Sequence, residues 1–117
     1  MYSPKKMLKT FVVDIDGTIC DKDVCREDGD YETSIPKLDR IGKINSLYDE
    51  GNIIKYFTAR GMGRYEDNEY LAHEAFYNLT YKQLESWGCK FHELILGKPS
   101  GDIYIDDKGV NANDFFN

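Results

Sequence analysis

The chain has 117 residues, the size of a single domain, and 41% of them are hydrophobic. A chain of this length buries enough apolar surface to fold without a disulfide or a structural metal, and its 31% charged residues are typical of a globular protein. The formal net charge of −6 disfavours stable complexes with nucleic acids, and no apolar run is long enough to span a membrane. We therefore expect one domain over residues 1–117, without a membrane partner.

The cysteines indicate a cellular compartment. Cys20, Cys25 and Cys89 are odd in number and cannot all pair within one chain, which favours reduced thiols and a cytoplasmic location. An alternative is a zinc site made of these three thiols and His92, because the four residues form two short ligand pairs. The pairs lie in distant segments of the chain, so plain thiols are the preferred interpretation.

The first half of the chain predicts a strand, a loop, a helix and a second strand. Thr10–Ile15 is apolar and β-branched, which predicts a buried strand ending at an Asp-Gly turn. A polar loop or short flap follows over residues 20–35. Pro36 suits the first position of a helix that Gly51 ends, and Ile53–Phe57 predicts the second strand. Apolar residues recur at helical spacing between Pro36 and Gly51, at Leu38, Ile41, Ile44 and Leu47.

The second half predicts one long helix and two short strands. The helix covers Glu69–Trp87, and a capping box that begins at Thr80 predicts that it restarts there. The strands are Glu93–Leu96 and Ile103–Ile105. The order of elements is typical of an α/β protein, so we expect a three-layer, Rossmann-like parallel sheet with helices on both faces.

Polar residues follow every predicted strand. The four groups are Asp14-Ile15-Asp16-Gly17-Thr18, Thr58-Ala59-Arg60, Gly97-Lys98-Pro99 and Asp106-Asp107-Lys108. Taken singly, each has a structural explanation, such as a turn, a loop cap or an exposed acidic pair. Because the carboxyl ends of parallel strands meet at one edge of a sheet, we expect the four groups to form one site.

Together and in this order, the four groups resemble the four signature motifs of the haloacid dehalogenase superfamily. The resemblance covers almost the whole chain, and Asp-x-Asp-Gly-Thr after an apolar strand is its most specific part. It implies a phosphatase, because relatives with an aspartate at the position of Asp16 generally hydrolyse phosphate esters. The gaps before Pro36 and after Arg60 are too short for a large cap domain. The chain is therefore similar to capless members, and in particular to a group of bacterial phosphatases of capsule and surface-polysaccharide synthesis.

The resemblance also implies a role for each catalytic residue. Asp14 would attack phosphorus and form an aspartyl-phosphate intermediate. Asp16 would act first as general acid on the leaving alcohol and then as general base on water. Thr58 would donate its hydroxyl to a phosphate oxygen, and Lys98 would supply a fixed positive charge. The implied substrate-binding residues are Gly17, Thr18, Ala59 and Arg60.

A magnesium ion is the implied cofactor. It would cancel the repulsion between a carboxylate nucleophile and an anionic phosphate. Its ligands would be a carboxylate oxygen of Asp14, the backbone carbonyl of Asp16 and the carboxylate of Asp106. Asp107 would complete this ligand set or orient it from behind.

The sequence is compatible with several alternative functions. A phospho-receiver domain shares the residue types but places its lysine last, whereas Lys98 precedes the final acidic pair here. A catalytically silent phosphosugar-binding module is a second non-enzymatic alternative. Among enzymes, a nucleotide or polynucleotide end phosphatase is the nearest, with Arg60 and Arg64 holding a second phosphate or a base. Arg60 would equally serve as a brace that binds a carboxylate.

The aromatic stretch from Tyr65 to Tyr81 suggests a homo-oligomer. It carries more aromatic surface than one helical face of a small domain readily buries, as an interface does. A capless site also lacks an insert that covers a small substrate. We therefore expect a second copy of the chain, in a dimer or tetramer, to close the site over a sugar phosphate or a related small metabolite.

Overall fold

A computed structural model describes residues 8–21 and 31–117 of the chain. Most of the predicted flap at residues 20–35 lies outside the described residues. The described elements are β1 (Thr10–Asp14), a 3₁₀ turn (Tyr31–Thr33), α1 (Leu38–Asp49), β2 (Ile53–Thr58), α2 (Glu69–Ser86), β3 (Glu93–Leu96) and α3 (Ala112–Phe115).

The described strands form one parallel sheet in the order β1-β2-β3. Asp14 lies beside Phe57 of β2, and Thr58 lies beside Leu96 of β3, so the three carboxyl ends share one edge. The connections α1 and α2 flank the sheet, as crossovers between parallel strands must. The predicted α/β class is confirmed, and the described residues contain no large cap domain.

Helix α1 forms because its apolar residues fall on one side. Ile41 and Ile44 are buried, while the residues between them are exposed. The prediction that Pro36 occupies the first helical position is wrong, because the helix begins at Leu38 with Lys37 as its N-cap. Pro36 instead forms an isolated bridge with Cys20, which holds the chain extended at that point.

Helix α2 is continuous over its 18 residues. The Asn68 side chain caps it by accepting a hydrogen bond from the backbone nitrogen of Leu71 at 3.1 Å. The predicted restart at Thr80 is wrong, because Thr80 belongs to the buried stripe of this helix rather than to a new N-terminus. That stripe, with a spacing of four, consists of Ala72, Phe76, Thr80 and Leu84.

The core joins the sheet to both long helices. Ile54 and Tyr56 of the central strand have no exposed surface, and Tyr31 meets Phe76 edge to face with their ring centroids 5.0 Å apart. The other buried members of the cluster are Val13, Ile15, Ile19, Cys20, Ile41, Ile44, Leu84, Leu94 and Leu96.

The predicted strand at Ile103–Ile105 is not formed. Ile103 is 79% exposed and Ile105 is 92% exposed, and neither residue belongs to the sheet. Between them the Tyr104 hydroxyl donates to the backbone oxygen of Pro99 at 2.6 Å, which holds the segment near the loop after β3. The alternation of apolar and polar residues in this segment is typical of a strand, but the segment does not pair with any described strand.

None of the described helices combines the length and the apolar character that crossing a membrane requires.

We expect Gly61→Ala to destabilise the fold by about 1–3 kcal/mol. Gly61 has a φ of +79°, and an added Cβ would lie 2.6 Å from Cδ2 of Phe76, a buried ring with little room to move. Gly42→Ala is the matched control, because α1 leaves open space there. It should stabilise the helix by about 0.5–1 kcal/mol. Urea denaturation of both variants tests this expectation, which equal stabilities would contradict.

Candidate functional site

The turn after β1 places Asp14 and Asp16 at the carboxyl edge of the sheet. Gly17, with a φ of +85°, folds the chain back so that its own nitrogen donates to the Cys20 oxygen at 3.0 Å. The nitrogen of Thr18 donates to the Ile15 oxygen, also at 3.0 Å. Both amides are therefore used within the turn. With these two amides engaged, the substrate-binding role that the resemblance implies for Gly17 and Thr18 stays a prediction.

Thr58 ends β2 directly beside this turn. Its side chain is almost fully buried, and its Oγ1 accepts a hydrogen bond from the backbone nitrogen of Arg60 at 3.1 Å. Because a hydroxyl both accepts and donates, the Thr58 proton is left for a second partner. Ala59, between the two, is half-buried.

Lys98 reaches the same edge from the loop after β3. Its backbone nitrogen donates to the Thr58 oxygen at 3.2 Å, which continues the pairing of the two strands past their ends. Ser100 then donates from its backbone nitrogen and its hydroxyl to the Asp67 carboxylate. The loop is therefore held both at Lys98 and two residues later. The result is that Lys98 Nζ lies 3.4 Å from Oδ1 of Asp14.

The Asp14 carboxylate is partly desolvated. Burial is the main cause that raises its pKa above the ordinary value, and the neighbouring Asp16 charge raises it further. The Lys98 ammonium and the Ile15 amide act in the opposite direction, because both favour the ionised form. A carboxylate that retains about a third of its exposure and carries an adjacent cation has the environment of a nucleophile that accepts an anionic substrate.

Arg60 holds Asp16 through two parallel hydrogen bonds. Its Nε lies 2.9 Å from Oδ2 of Asp16, and its Nη2 lies 3.0 Å from Oδ1. The Arg60 side chain has no exposed surface, and that of Asp16 is 15% exposed. This bidentate geometry fixes the plane of the Asp16 carboxylate. Oδ1 also accepts a hydrogen bond from the Cys20 thiol at 3.5 Å, whereas Oδ2 retains a lone pair for another donor.

A second set of contacts holds Arg60 itself. Its Nη1 donates to Thr80 Oγ1 at 3.2 Å and to Gln83 Oε1 at 2.6 Å, and the ring of Tyr31 lies 4.7 Å from its Cζ. The side-chain nitrogen of Gln83 in turn donates to the backbone oxygen of Tyr31 at 2.7 Å. The residues predicted as a capping box thus bind a guanidinium instead. We call this arrangement the Arg60 bracket; its members are Asp16, Tyr31, Arg60, Thr80 and Gln83.

The bracket bears on the predicted role of Arg60. A guanidinium without exposed surface, with all three of its nitrogens engaged, does not face a substrate. The placement therefore supports the alternative in which Arg60 braces a carboxylate. It does not support the alternatives in which Arg60 binds substrate or a second phosphate. Arg64 is exposed, and its guanidinium lies 5.3 Å from the ring centre of Phe76.

The structure does not bring Asp106 and Asp107 to Asp14. The Asp106 carboxylate is exposed and accepts hydrogen bonds from the backbone nitrogens of Lys108 and Gly109, which lower its pKa. Within residues 8–21 and 31–117, no group of three or more histidine, cysteine or acidic residues is arranged to hold a metal. The cause is the unformed strand at Ile103–Ile105, which would have carried Asp106 to the edge of the sheet.

The described residues of one chain therefore do not form the predicted set of magnesium ligands. Asp14 is at the edge of the sheet with a partly exposed carboxylate, but among the described residues Asp106 and Asp107 do not join it in a group that could hold a metal. Mg²⁺ prefers near-octahedral oxygen coordination, to which Asp14 and one backbone carbonyl supply only part.

The residues of the alternative zinc site have other partners. Nδ1 of His92 accepts a hydrogen bond from the nitrogen of Ile54 at 3.0 Å, and its ring stacks on Tyr48. Cys20 is fully buried beside Asp16. Cys25 lies outside the described residues.

Both described thiols should react slowly with alkylating agents. Burial raises the pKa of Cys20 to about 12, with the Asp16 charge as a second cause, and burial raises the pKa of Cys89 to about 11. Only the thiolate reacts, so alkylation of Cys89 at about pH 8 should be roughly 100-fold slower than in the unfolded chain. Mass spectrometry after iodoacetamide treatment, with and without urea, measures this ratio. Equal rates in both states would contradict the burial of the thiol.

No protein-family model matches the chain, and no curated protein matches it. Among solved structures, the chain is similar to a Vibrio cholerae protein that was crystallised as an MCSG target. The two superpose with a TM-score of 0.83 at 28% identity, over 93% of this chain and 88% of that protein. The similarity therefore extends over nearly the full length of both chains and indicates the same fold.

Proposed function

We propose that this protein is a phosphate monoester hydrolase that uses Asp14 as a covalent nucleophile. The observation that carries the proposal is the 3.4 Å approach of Lys98 Nζ to Asp14 Oδ1 at the sheet edge where Asp16 and Thr58 also lie. Three of the four motifs that resemble those of the haloacid dehalogenase superfamily thus meet at one place. If these polar residues served only their own loops, they would have no reason to lie together at one edge of the sheet.

The proposed reaction has two steps. In the first, a carboxylate oxygen of Asp14 attacks phosphorus, the ester P–O bond breaks, and Asp16 gives a proton to the leaving alcohol. In the second, Asp16 takes a proton from water, the water oxygen attacks the phosphorus of the aspartyl phosphate, and Asp14 is released with inorganic phosphate. The Lys98 ammonium offsets the negative charge that the substrate brings to Asp14, and the Thr58 hydroxyl donates to a phosphate oxygen.

Arg60 acts as a positioning residue in this scheme. Proton transfer requires the Asp16 carboxyl group within hydrogen-bond distance of the leaving oxygen and of water. The bidentate bonds from Arg60 hold the carboxyl group in one orientation, so the remaining lone pair of Oδ2 always points the same way.

Magnesium belongs to the proposal as the expected cofactor, because it supplies charge neutralisation and orientation to a bound phosphate. We therefore expect chelation with EDTA to abolish phosphate release and added Mg²⁺ to restore it. Calcium is a matched control, since its longer bonds and looser geometry should restore little of the rate. Full activity in excess chelator would remove the metal from the proposal.

The proposed substrate is a sugar phosphate or a similar small phosphorylated metabolite, hydrolysed in the cytoplasm. The described residues contain no large cap domain, which leaves the sheet edge open. A catalytically silent phosphosugar-binding protein would share this edge, but it would have no need of an aligned Asp16. The nucleotide-phosphatase alternative loses Arg60 as a contact for a second phosphate, because that side chain is buried.

A panel of phosphate esters tests the proposed function. Sugar phosphates, mononucleotides and 5′-phosphorylated oligonucleotides are incubated with the protein and Mg²⁺, and released phosphate is measured. We expect turnover of sugar phosphates that is lost in Asp14→Asn. Binding without release, detected by calorimetry, would favour the binding module instead.

A further inference from the structure

Gln83 of α2 joins two other members of the Arg60 bracket. Its Oε1 accepts a hydrogen bond from Arg60 Nη1 at 2.6 Å, and its Nε2 donates to the backbone oxygen of Tyr31 at 2.7 Å. A backbone oxygen only accepts hydrogen bonds and a guanidinium only donates them, so the two neighbours allow one orientation of the amide. Gln83 is half-buried, and both bonds are therefore partly shielded from competition by water.

The Arg60 guanidinium has two edges, and each can bind a carboxylate through two parallel hydrogen bonds. One edge carries Nε and Nη2, and the other carries Nη1 and Nη2. Asp16 lies on the first edge, 2.9 Å from Nε and 3.0 Å from Nη2. Nη1 donates instead to Thr80 at 3.2 Å and to Gln83 at 2.6 Å. Since the bond to Gln83 is the shorter of the two, Gln83 is the main acceptor that keeps Nη1 from Asp16.

Tyr31 keeps the Gln83 amide in place. The Tyr31 hydroxyl accepts a hydrogen bond from the backbone nitrogen of Gly61 at 3.2 Å, and its ring lies 4.7 Å from Arg60 Cζ. The ring also meets Phe76 edge to face. The backbone oxygen of Tyr31 is thus a fixed acceptor. The amide that donates to it presents Oε1 to Arg60 at a constant position.

We propose that Gln83 is a positioning residue for hydrolysis of the phosphoenzyme, a role that rests on the proposed function. Gln83 acts through Arg60. By holding Nη1, it selects the edge on which Asp16 binds and so sets the plane of the Asp16 carboxylate. The remaining lone pair of Oδ2, which accepts the proton of the attacking water, then has a fixed direction. Because Gln83 acts through another side chain, it affects turnover rather than substrate binding.

Gln83→Met tests this role, because methionine is of similar length but its thioether is only a weak acceptor. Nη1 then becomes available to a carboxylate, and Asp16 can bind at either edge of the guanidinium. We expect kcat to fall by about 10-fold and KM to stay within about two-fold of the wild-type value. Lys82→Met, at the exposed neighbouring position of α2, is the matched control and should keep wild-type turnover.

Rapid-quench kinetics separate positioning from folding. With a saturating activated ester, phosphorylation of Asp14 needs no acid, so its rate constant should stay within about two-fold in Gln83→Met. Hydrolysis of the phosphoenzyme should slow by about 10-fold, less than in Asp16→Asn, because the carboxylate is present but misplaced. A smaller fraction of folded protein changes neither of these first-order rate constants. A hydrolysis rate constant equal to that of the wild type would overturn the proposal.

Gln83→Glu asks whether an acceptor for Nη1 is what matters, and it is read independently of Gln83→Met. Glutamate has the same shape and still accepts from Nη1, but it cannot donate to the Tyr31 oxygen. The rescue should therefore be incomplete, with hydrolysis of the phosphoenzyme within about three-fold of the wild-type rate constant. A loss of about 10-fold or more in Gln83→Glu would contradict the selection of the guanidinium edge.

The edge on which Asp16 binds can also be measured without activity, by NMR of isotope-labelled protein. Exchange of the Arg60 Nε proton with solvent should be slow, because the side chain has no exposed surface and this proton is bound to Asp16. Arg60→Lys identifies the signal by its loss. In Gln83→Met the exchange should be at least about 10-fold faster, since Asp16 then moves in part to the Nη1 edge.

The two readouts together decide the proposal. Slower hydrolysis with unchanged exchange of the Nε proton would overturn it, because the effect would not then pass through Arg60. Faster exchange with unchanged hydrolysis would overturn it as well, because the edge of the guanidinium would not matter for the reaction. If the wild-type protein releases no phosphate at all, the proposed function fails and the role in hydrolysis fails with it. The exchange measurement would still show that Gln83 sets the edge at which Arg60 binds Asp16.

Discussion

Replacement of Asp14 by Asn is expected to reduce phosphate release by about 10⁴-fold or more, because an amide cannot form the acyl-phosphate bond on which both steps depend. The substitution preserves the shape of the side chain, so the fold and the Lys98 contact region should remain. Steady-state phosphate release gives the rate, and circular dichroism confirms folding. Asp39→Asn, at an exposed position of α1, is the control and should keep wild-type turnover.

Asp16→Asn should fail at a different stage. With an activated ester that needs no acid, phosphate can still reach Asp14, but hydrolysis of the phosphoenzyme should slow by about 10²-fold or more without a base. Rapid-quench experiments would then show accumulated phosphoprotein, which Asp14→Asn would not show. Equal phosphate incorporation in both variants would mean that the nucleophile lies elsewhere.

Arg60→Met should cost about 3–5 kcal/mol of folding stability, because it leaves the Asp16 carboxylate largely buried without its cation. The loss also leaves Thr80 Oγ1 and Gln83 Oε1 without their donor. Arg60→Lys should recover only part of this loss, because an ammonium cannot make two parallel bonds to Asp16 and also reach α2. Urea denaturation measures the free energy of unfolding of each variant.

The exposed ion pair between Lys90 and Asp49 provides the matched control. Its atoms are 2.8 Å apart, as close as those of Arg60 and Asp16, but both side chains are about half exposed. Lys90→Met should therefore change stability by less than about 1 kcal/mol. If Arg60→Met and Lys90→Met had the same small effect, the Arg60 bracket would not stabilise the fold.

The sequence predicts the elements that depend on local patterns. Apolar periodicity and a terminal glycine place α1, and β-branched runs place β1 and β2, each within two residues of the observed bounds. The strand at Ile103–Ile105 was a wrong prediction for a physical reason. Strand propensity says that a segment can pair, but whether it pairs depends on an edge elsewhere in space.

The Arg60 bracket could not be predicted as a whole, because its hydrogen bonds join residues that are 20 to 52 positions apart in the chain. One signal was nevertheless present. Thr80 interrupts the buried stripe of Ala72, Phe76 and Leu84, and a polar residue on a buried helical face needs a partner. The same reasoning could have favoured the brace over the substrate contact for Arg60.

Chemical trapping of the phosphoenzyme tests the central claim most directly. The protein is mixed with an activated phosphate ester, quenched in acid and reduced with borohydride, which converts an aspartyl phosphate into homoserine. Peptide mass spectrometry then identifies the modified position. The proposed function predicts homoserine at position 14 in the wild-type chain, in greater amount in Asp16→Asn. A protein that releases phosphate while residue 14 remains aspartate, or that carries the modification at another residue, would contradict it.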